Sequence, residues 1–211
     1  MMKTFMGRLK VSVKWFLPFY LFTFLPLLSC SDDSEEEVND FDNWVERNDA
    51  VIAQWAANTN YIQYRTYTKN QETDGGDSEY IYVQVMESGT GTESPVFGDT
   101  IRVAYRLRYI PTKSYPDGYM VGETYTGDFD WKTISVSNLA LNNTLIDGFS
   151  TAVMNMHNGD RWIVNIPYPL GYGNPSINDG ILDGSNLIYD LALVDFWHPG
   201  ESRPGFKSRE K

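Results

Sequence analysis

The chain has 211 residues, with 28 acidic against 17 basic side chains and a formal net charge of −11. That balance argues against nucleic acid or anionic lipid as an electrostatic partner. Two histidines and one cysteine leave little material for a zinc site and none for an intrachain disulfide.

The chain opens on Lys3, Arg8, Lys10 and Lys14, followed by an apolar run from Trp15 to Leu28 that Pro18 and Pro26 interrupt. The run is too short and proline-rich for a membrane span and reads as a secretory signal over residues 1–29. It ends in Leu27-Leu28-Ser29-Cys30, which resembles the lipobox of bacterial lipoproteins. That resemblance implies cleavage before Cys30 and a lipid anchor to the membrane at its thiol. Removing residues 1–29 takes away four basic side chains and no acidic one, leaving 13 basic against 28 acidic and a net charge of −15.

Residues 30–41 form an acidic stretch almost without apolar side chains, which is expected to be a solvated tether. Acidic residues straight after the cysteine resemble the surface-export signal of Bacteroidetes lipoproteins. The expected location is therefore the outer membrane, on its periplasmic or cell-surface face.

Residues 42–76 read as a helical segment and linker. Trp44, Val51, Ile52 and Trp55 recur at helical spacing, so a helix is expected from Asp42 to about Asn58. Asp42 or Asn43 is the expected cap, with Glu46 in the first turn. The apolar face should pack on the downstream domain or on the stretch Tyr61–Tyr67. Thr73 to Ser78 is a polar, glycine-containing connection.

Residues 77–197 have the texture of a sheet with one helix, and 198–211 form a tail. Tyr80 to Val85 is a strand candidate, and Gly89 to Thr92 a turn. Ile101, Val103, Tyr105, Leu107 and Tyr109 alternate with Arg102, Ala104, Arg106 and Arg108. Period-two alternation predicts one face in the core and the arginine face in water. Phe149 to Met156 has helical composition, Asn158-Gly159 is a turn, and Arg161–Ile166 and Leu187–Phe196 are strands. The fold class is α+β.

Four features of this region occur together: Leu145-Ile146-x-Gly148-Phe149, Asn158-Gly159-Asp160, Gly171-Tyr172-Gly173, and the closing strand Asn186-Leu187-Ile188-Tyr189-Asp190-Leu191. In order and spacing they resemble the FKBP (immunophilin) family of peptidyl-prolyl cis-trans isomerases. The resemblance implies an antiparallel sheet wrapped over one short helix, here preceded by an N-terminal helix. It also implies action on proline-containing polypeptides without metal or cofactor.

The resemblance assigns roles to named positions. Phe149 is the floor of the proline pocket, and Leu145 and Ile146 are its wall, with the Ile146 backbone N–H facing a substrate carbonyl. The Tyr172 hydroxyl holds a substrate carbonyl, so Tyr172, Ile146 and Phe149 form the catalytic group. Tyr105, Leu145, Ile181 and Tyr189 line the binding pocket. The family's Phe-Asp pair falls on Val121 and Gly122, which removes an aromatic wall and a carboxylate. Asp128 or Asp130, and Phe129 or Trp131, are the nearby replacements. The departure implies reduced activity, or a binding module that keeps the fold without turnover. No HxxxH, HxH or GxSxG pattern occurs, and the sequence does not set the oligomeric state.

Overall fold

The computed structural model describes residues 39–203 and Gly205. The signal segment, Cys30 with the tether as far as Val38, Pro204 and residues 206–211 lie outside the described residues. From Asn39 onward the chain is one compact unit.

The first element is helix α1, Trp44–Ala57. Trp44, Asn48, Ile52 and Trp55 lie at successive helical spacings and are buried. Each of the three apolar members contributes ~1.5–3 kcal/mol by leaving water. The expected cap is not formed: Asn43 is left-handed (φ 49°) and makes no side-chain cap bond. The Asp42 carboxylate accepts instead from Asn39 Nδ2 at 2.6 Å.

Seven strands follow in one antiparallel sheet: β1 (Ile62–Arg65), β2 (Tyr80–Glu87), β3 (Thr100–Arg108), β4 (Met120–Glu123), β5 (Ser137–Ala140), β6 (Arg161–Ile166) and β7 (Leu187–Trp197). Their order is β1-β2-β6-β7-β3-β4, with β5 also on β3. β4 and β5 share one edge of β3, facing Arg106–Arg108 and Thr100–Val103 respectively. Helix α2 (Asp147–Asn155) lies against β1, β2 and β6. Six consecutive residues, Gly148 to Val153, are buried, so α2 is enclosed rather than amphipathic.

The stretch Tyr61–Tyr67 contains strand β1, which pairs with β2 and stacks Tyr64 on Trp162 at 5.7 Å. Helix α1 packs on the sheet, with Trp55 against Tyr82 at 6.1 Å between ring centroids.

The arginine face of β3 departs from expectation, because it is covered. Ala104 and Ala192, small residues paired across β3 and β7, leave room for Tyr125, Trp131 and Ile134, which form a second apolar cluster there. Arg102 is 2% exposed and lies 3.7 Å from Asp195 and 5.4 Å from the Trp197 ring. Arg106 rests on the Tyr125 ring at 4.3 Å. Alternation marked two faces correctly; Tyr125, Trp131 and Ile134 cover the second face around Ala104, while Arg106 and Arg108 stay half-buried.

Asp160 fixes the turn between α2 and β6. Its buried carboxylate accepts the His157 N–H at 2.8 Å and the Gly89 N–H at 2.5 Å. A Cβ on Gly89 would stand 2.1 Å from the Asn158 carbonyl oxygen, so only glycine lets the two turns meet.

Candidate functional site

Three aromatic rings from three elements converge: Tyr105 of β3, Phe149 of the first turn of α2, and Tyr189 of β7. Centroids are 6.4 Å apart for Tyr105 and Phe149, 5.7 Å for Tyr105 and Tyr189, and 5.4 Å for Phe149 and Tyr189, all edge to face. Such pairs contribute ~0.5–1.5 kcal/mol beyond the area they bury. The register explains the meeting. Tyr105 faces Leu191 and Tyr189 faces Leu107, so the two tyrosines are diagonal neighbours on one face.

Gly148 seats the third ring. A Cβ there would lie 2.3 Å from Ile166 Cγ2, so the glycine lets α2 press against β6 and fixes where Phe149 points. Phe149 is 4% exposed and Tyr189 5%.

Tyr172 lies in a tight turn. The Gly171 and Gly173 N–H groups both donate to the Tyr168 carbonyl, at 3.0 and 2.9 Å, and Gly173 has φ 86°. The Ile177 N–H donates to the Tyr172 carbonyl at 2.8 Å. The Tyr172 and Tyr189 hydroxyls lie near enough for each to affect the other's titration. Burial raises the Tyr172 pKa, and burial with Tyr172 and Tyr105 nearby pushes Tyr189 well above the usual phenol range. Both are therefore neutral phenols at physiological pH, able to donate a hydrogen bond but carrying no charge.

A cavity of about 460 Å³ opens beside this turn, lined by Leu145, Ile146, Tyr172, Leu170 and Ile177 among others. Its volume lies within the usual range of ligand pockets. Asn143, Asp147 and Asn178 give it a polar rim. The structure thus gathers Tyr105, Phe149 and Tyr189 by direct ring contact, places the Tyr172 hydroxyl near that of Tyr189, and sets Leu145, Ile146 and Tyr172 around one cavity. Ile181 is buried but lines a separate groove of about 490 Å³ with Phe41, Trp44, Val45 and Leu182.

Val121 is half-buried against the main core. Gly122 faces Leu107, and a Cβ there would have nothing within 4 Å, so no side chain occupies that position. The expected aromatic replacements do not reach the three rings. Phe129 and Trp131 pack with Tyr125 on the opposite face of β3, where Trp131 Nε1 donates to Glu87 at 3.0 Å. The Asp130 carboxylate holds its own loop, accepting from the Lys132 N–H at 3.0 Å.

Residues 91–194 match the pattern of the family described as FKBP-type peptidyl-prolyl cis-trans isomerase. The chain carries an FKBP-type domain. Among curated relatives, human peptidyl-prolyl cis-trans isomerase FKBP9 is 31% identical over 99 residues, which is 47% of this chain and 16% of that protein. The Bos taurus protein of the same name is 30% identical over 124 residues, 59% of this chain and 20% of that one. The chain thus spans about a fifth or less of the curated relatives it matches.

Two solved structures share the fold. FkpA from Escherichia coli superposes with a TM-score of 0.54 at 24% identity, over 74% of this chain and 60% of that one. A peptidyl-prolyl cis-trans isomerase from Pseudomonas syringae gives 0.51 at 18% identity, over 75% and 97% respectively.

Sequence reasoning overlooked two supports of this site. The Tyr109 hydroxyl accepts the Leu182 N–H at 2.9 Å and so steadies the loop after Tyr172. Asn48 and Asn186, both fully buried, join α1 to the start of β7. The available signal was Asn48 itself, a polar residue four positions after Trp44 on the apolar face of α1.

Proposed function

We propose that the protein catalyses cis-trans isomerisation of Xaa-Pro bonds in exported polypeptide chains. The observation that carries this reading is the convergence of Tyr105, Phe149 and Tyr189, with the Tyr172 hydroxyl beside them and Leu145 and Ile146 along the adjoining cavity. Rotation about the imide has a barrier of ~18–20 kcal/mol because amide resonance is lost in the twisted state. The twisted imide is less dipolar than the planar one, so a dry aromatic surface favours it over the ground state. A neutral phenol at Tyr172 and the Ile146 N–H then hold flanking carbonyls while the bond turns. No nucleophile, metal or charge change is required, which fits a site whose ionisable hydroxyls stay neutral.

The chain's first residues support this choice of substrate class. The basic region, the broken apolar run and Cys30 support a lipid-anchored protein of the outer membrane, whose substrates are periplasmic or surface chains. The test is refolding of a reduced, unfolded protein whose slow phase is an Xaa-Pro isomerisation. Acceleration by the wild-type protein that falls in Phe149→Leu supports the reading. An unchanged slow phase, with folded protein present in excess, rejects catalysis.

The open position at Gly122 favours a second reading, in which the pocket holds proline-containing segments without turnover. Saturable peptide binding that perturbs Tyr172 and Phe149, with no gain in exchange rate, would select it.

A further inference from the structure

Helix α1 holds the C-terminal end of the loop that carries Tyr172, and through Asn186 it reaches the loop's first residues. At that end, Asn48 Oδ1 accepts the Asn186 N–H at 2.8 Å, and the Asn48 carbonyl accepts Asn186 Nδ2 at 2.7 Å. The Asn186 Oδ1 in turn accepts the Tyr168 N–H at 2.9 Å. Tyr168 supplies the carbonyl that holds Gly171 and Gly173, the two neighbours of Tyr172. Asn48 Nδ2 donates to the Trp44 carbonyl at 2.7 Å, so each polar atom of both amides has a partner. One residue before Asn186, Trp44 Nε1 donates to Ser185 Oγ at 2.8 Å. The adjoining Gly184 N–H donates to the Gly173 carbonyl at 3.0 Å. Gly184 has φ 65°, and a Cβ on it would stand 2.8 Å from Val45 Cγ2, so α1 and the loop are in close contact.

A helix whose only task was to cover apolar surface would put an aliphatic residue at position 48. A buried asparagine instead gives up transfer energy for fixed geometry, because a buried amide tolerates only the arrangement that satisfies it. We infer that Asn48 and Trp44 are positioning residues for the isomerase site, setting the Tyr172 hydroxyl through Asn186, Tyr168 and Ser185. On this account α1, which precedes the matched family stretch, is part of the working site and not an appendage. The inference rests on the reading of the pocket as a prolyl isomerase.

The experiment uses the full chain and three substitutions: Asn48→Ala, Trp44→Phe and Tyr172→Phe. Trp44→Phe keeps a ring in place and removes one N–H, so it serves where Asn48→Ala does not fold. Folding is checked by far-UV circular dichroism. Each positioning variant should lower kcat/KM for an Xaa-Pro-Phe peptide about 5- to 20-fold and shift the Tyr172 ring resonances. Combined with Tyr172→Phe, each should lower it by less than 2-fold further, since there is no hydroxyl left to place. A purely structural role would instead leave the effects multiplicative. Folded variants with wild-type kcat/KM and unmoved Tyr172 resonances would overturn the inference. If the wild-type protein has no turnover at all, the isomerase reading fails, and the resonances alone decide whether α1 sets Tyr172.

Discussion

Replacing Tyr189 by Phe removes one oxygen from the centre of the site and leaves the ring. The edge-to-face contacts with Phe149 at 5.4 Å and Tyr105 at 5.7 Å survive, because they depend on the ring alone. What disappears is the hydroxyl interaction with Tyr172. A neutral hydrogen bond contributes ~0.5–1.5 kcal/mol net, and Tyr172 is only partly buried, so water can reoccupy its free side. The expected loss of stability is therefore at most ~1 kcal/mol, or a fall in Tm of ~2–4 °C for a domain of this size. If the neighbouring oxygen orients the Tyr172 hydroxyl, kcat/KM should drop by roughly 5-fold, the kinetic equivalent of ~1 kcal/mol. The assay is a double-mutant cycle on peptide isomerisation with Tyr189→Phe, Tyr172→Phe and the pair. Coupling of about 1 kcal/mol is expected, since either single change abolishes the same contact. Strictly additive effects, or a Tyr189→Phe variant equal to wild type in both Tm and turnover, would refute the reasoning.

Three further outcomes are expected. Gly148→Ala would set a Cβ 2.3 Å from Ile166 Cγ2; thermal melts should show a loss of ~1–3 kcal/mol from overpacking, with turnover reduced as Phe149 is displaced. His198 lies 2.7 Å from the buried Asp99 carboxylate, whose hydrogen bond and charge raise the His198 pKa above its ordinary value. Its stabilisation should be fully present below about pH 6.5 and vanish as pH rises through the raised folded-state value. Denaturation of wild type against His198→Ala should show that difference shrinking with pH, and a pH-independent difference would contradict it. Cys30→Ala should abolish palmitate labelling and release the protein from the membrane fraction; equal labelling of the variant would remove the anchor from the account.

The paired strands were legible because their signals are local. Arg161–Ile166 and the closing strand follow from apolar runs bounded by turns, and Tyr105, Phe149 and Tyr189, singled out by the resemblance, pack against one another. What stayed hidden depends on contacts between distant segments. The covering of Ala104 comes from Tyr125, Trp131 and Ile134, 21–30 positions downstream, and that of Arg102 from Asp195 and Trp197, further still, and no pattern within β3 announces either. Strand β1 has only four residues and an exposed start, so alternation had too little length to register. The tie between Asn48 and Asn186 spans 138 residues, and a lone polar residue on an apolar helix face does not name its partner. The expected cap at Asn43 failed because that residue takes the left-handed conformation, which turns its side chain from the first-turn N–H groups.

Exchange of a short Xaa-Pro-Phe peptide between its cis and trans forms, followed by NMR with the full chain present, tests the central claim most directly. Tyr172→Phe, folded to the same far-UV spectrum, is the control. The account predicts exchange well above the uncatalysed rate with wild type, unchanged between pH 6 and 9 because Tyr172 and Tyr189 stay neutral there, and a clear fall in the variant. Exchange at the uncatalysed rate with folded wild-type protein, or equal rates for wild type and Tyr172→Phe, would contradict it.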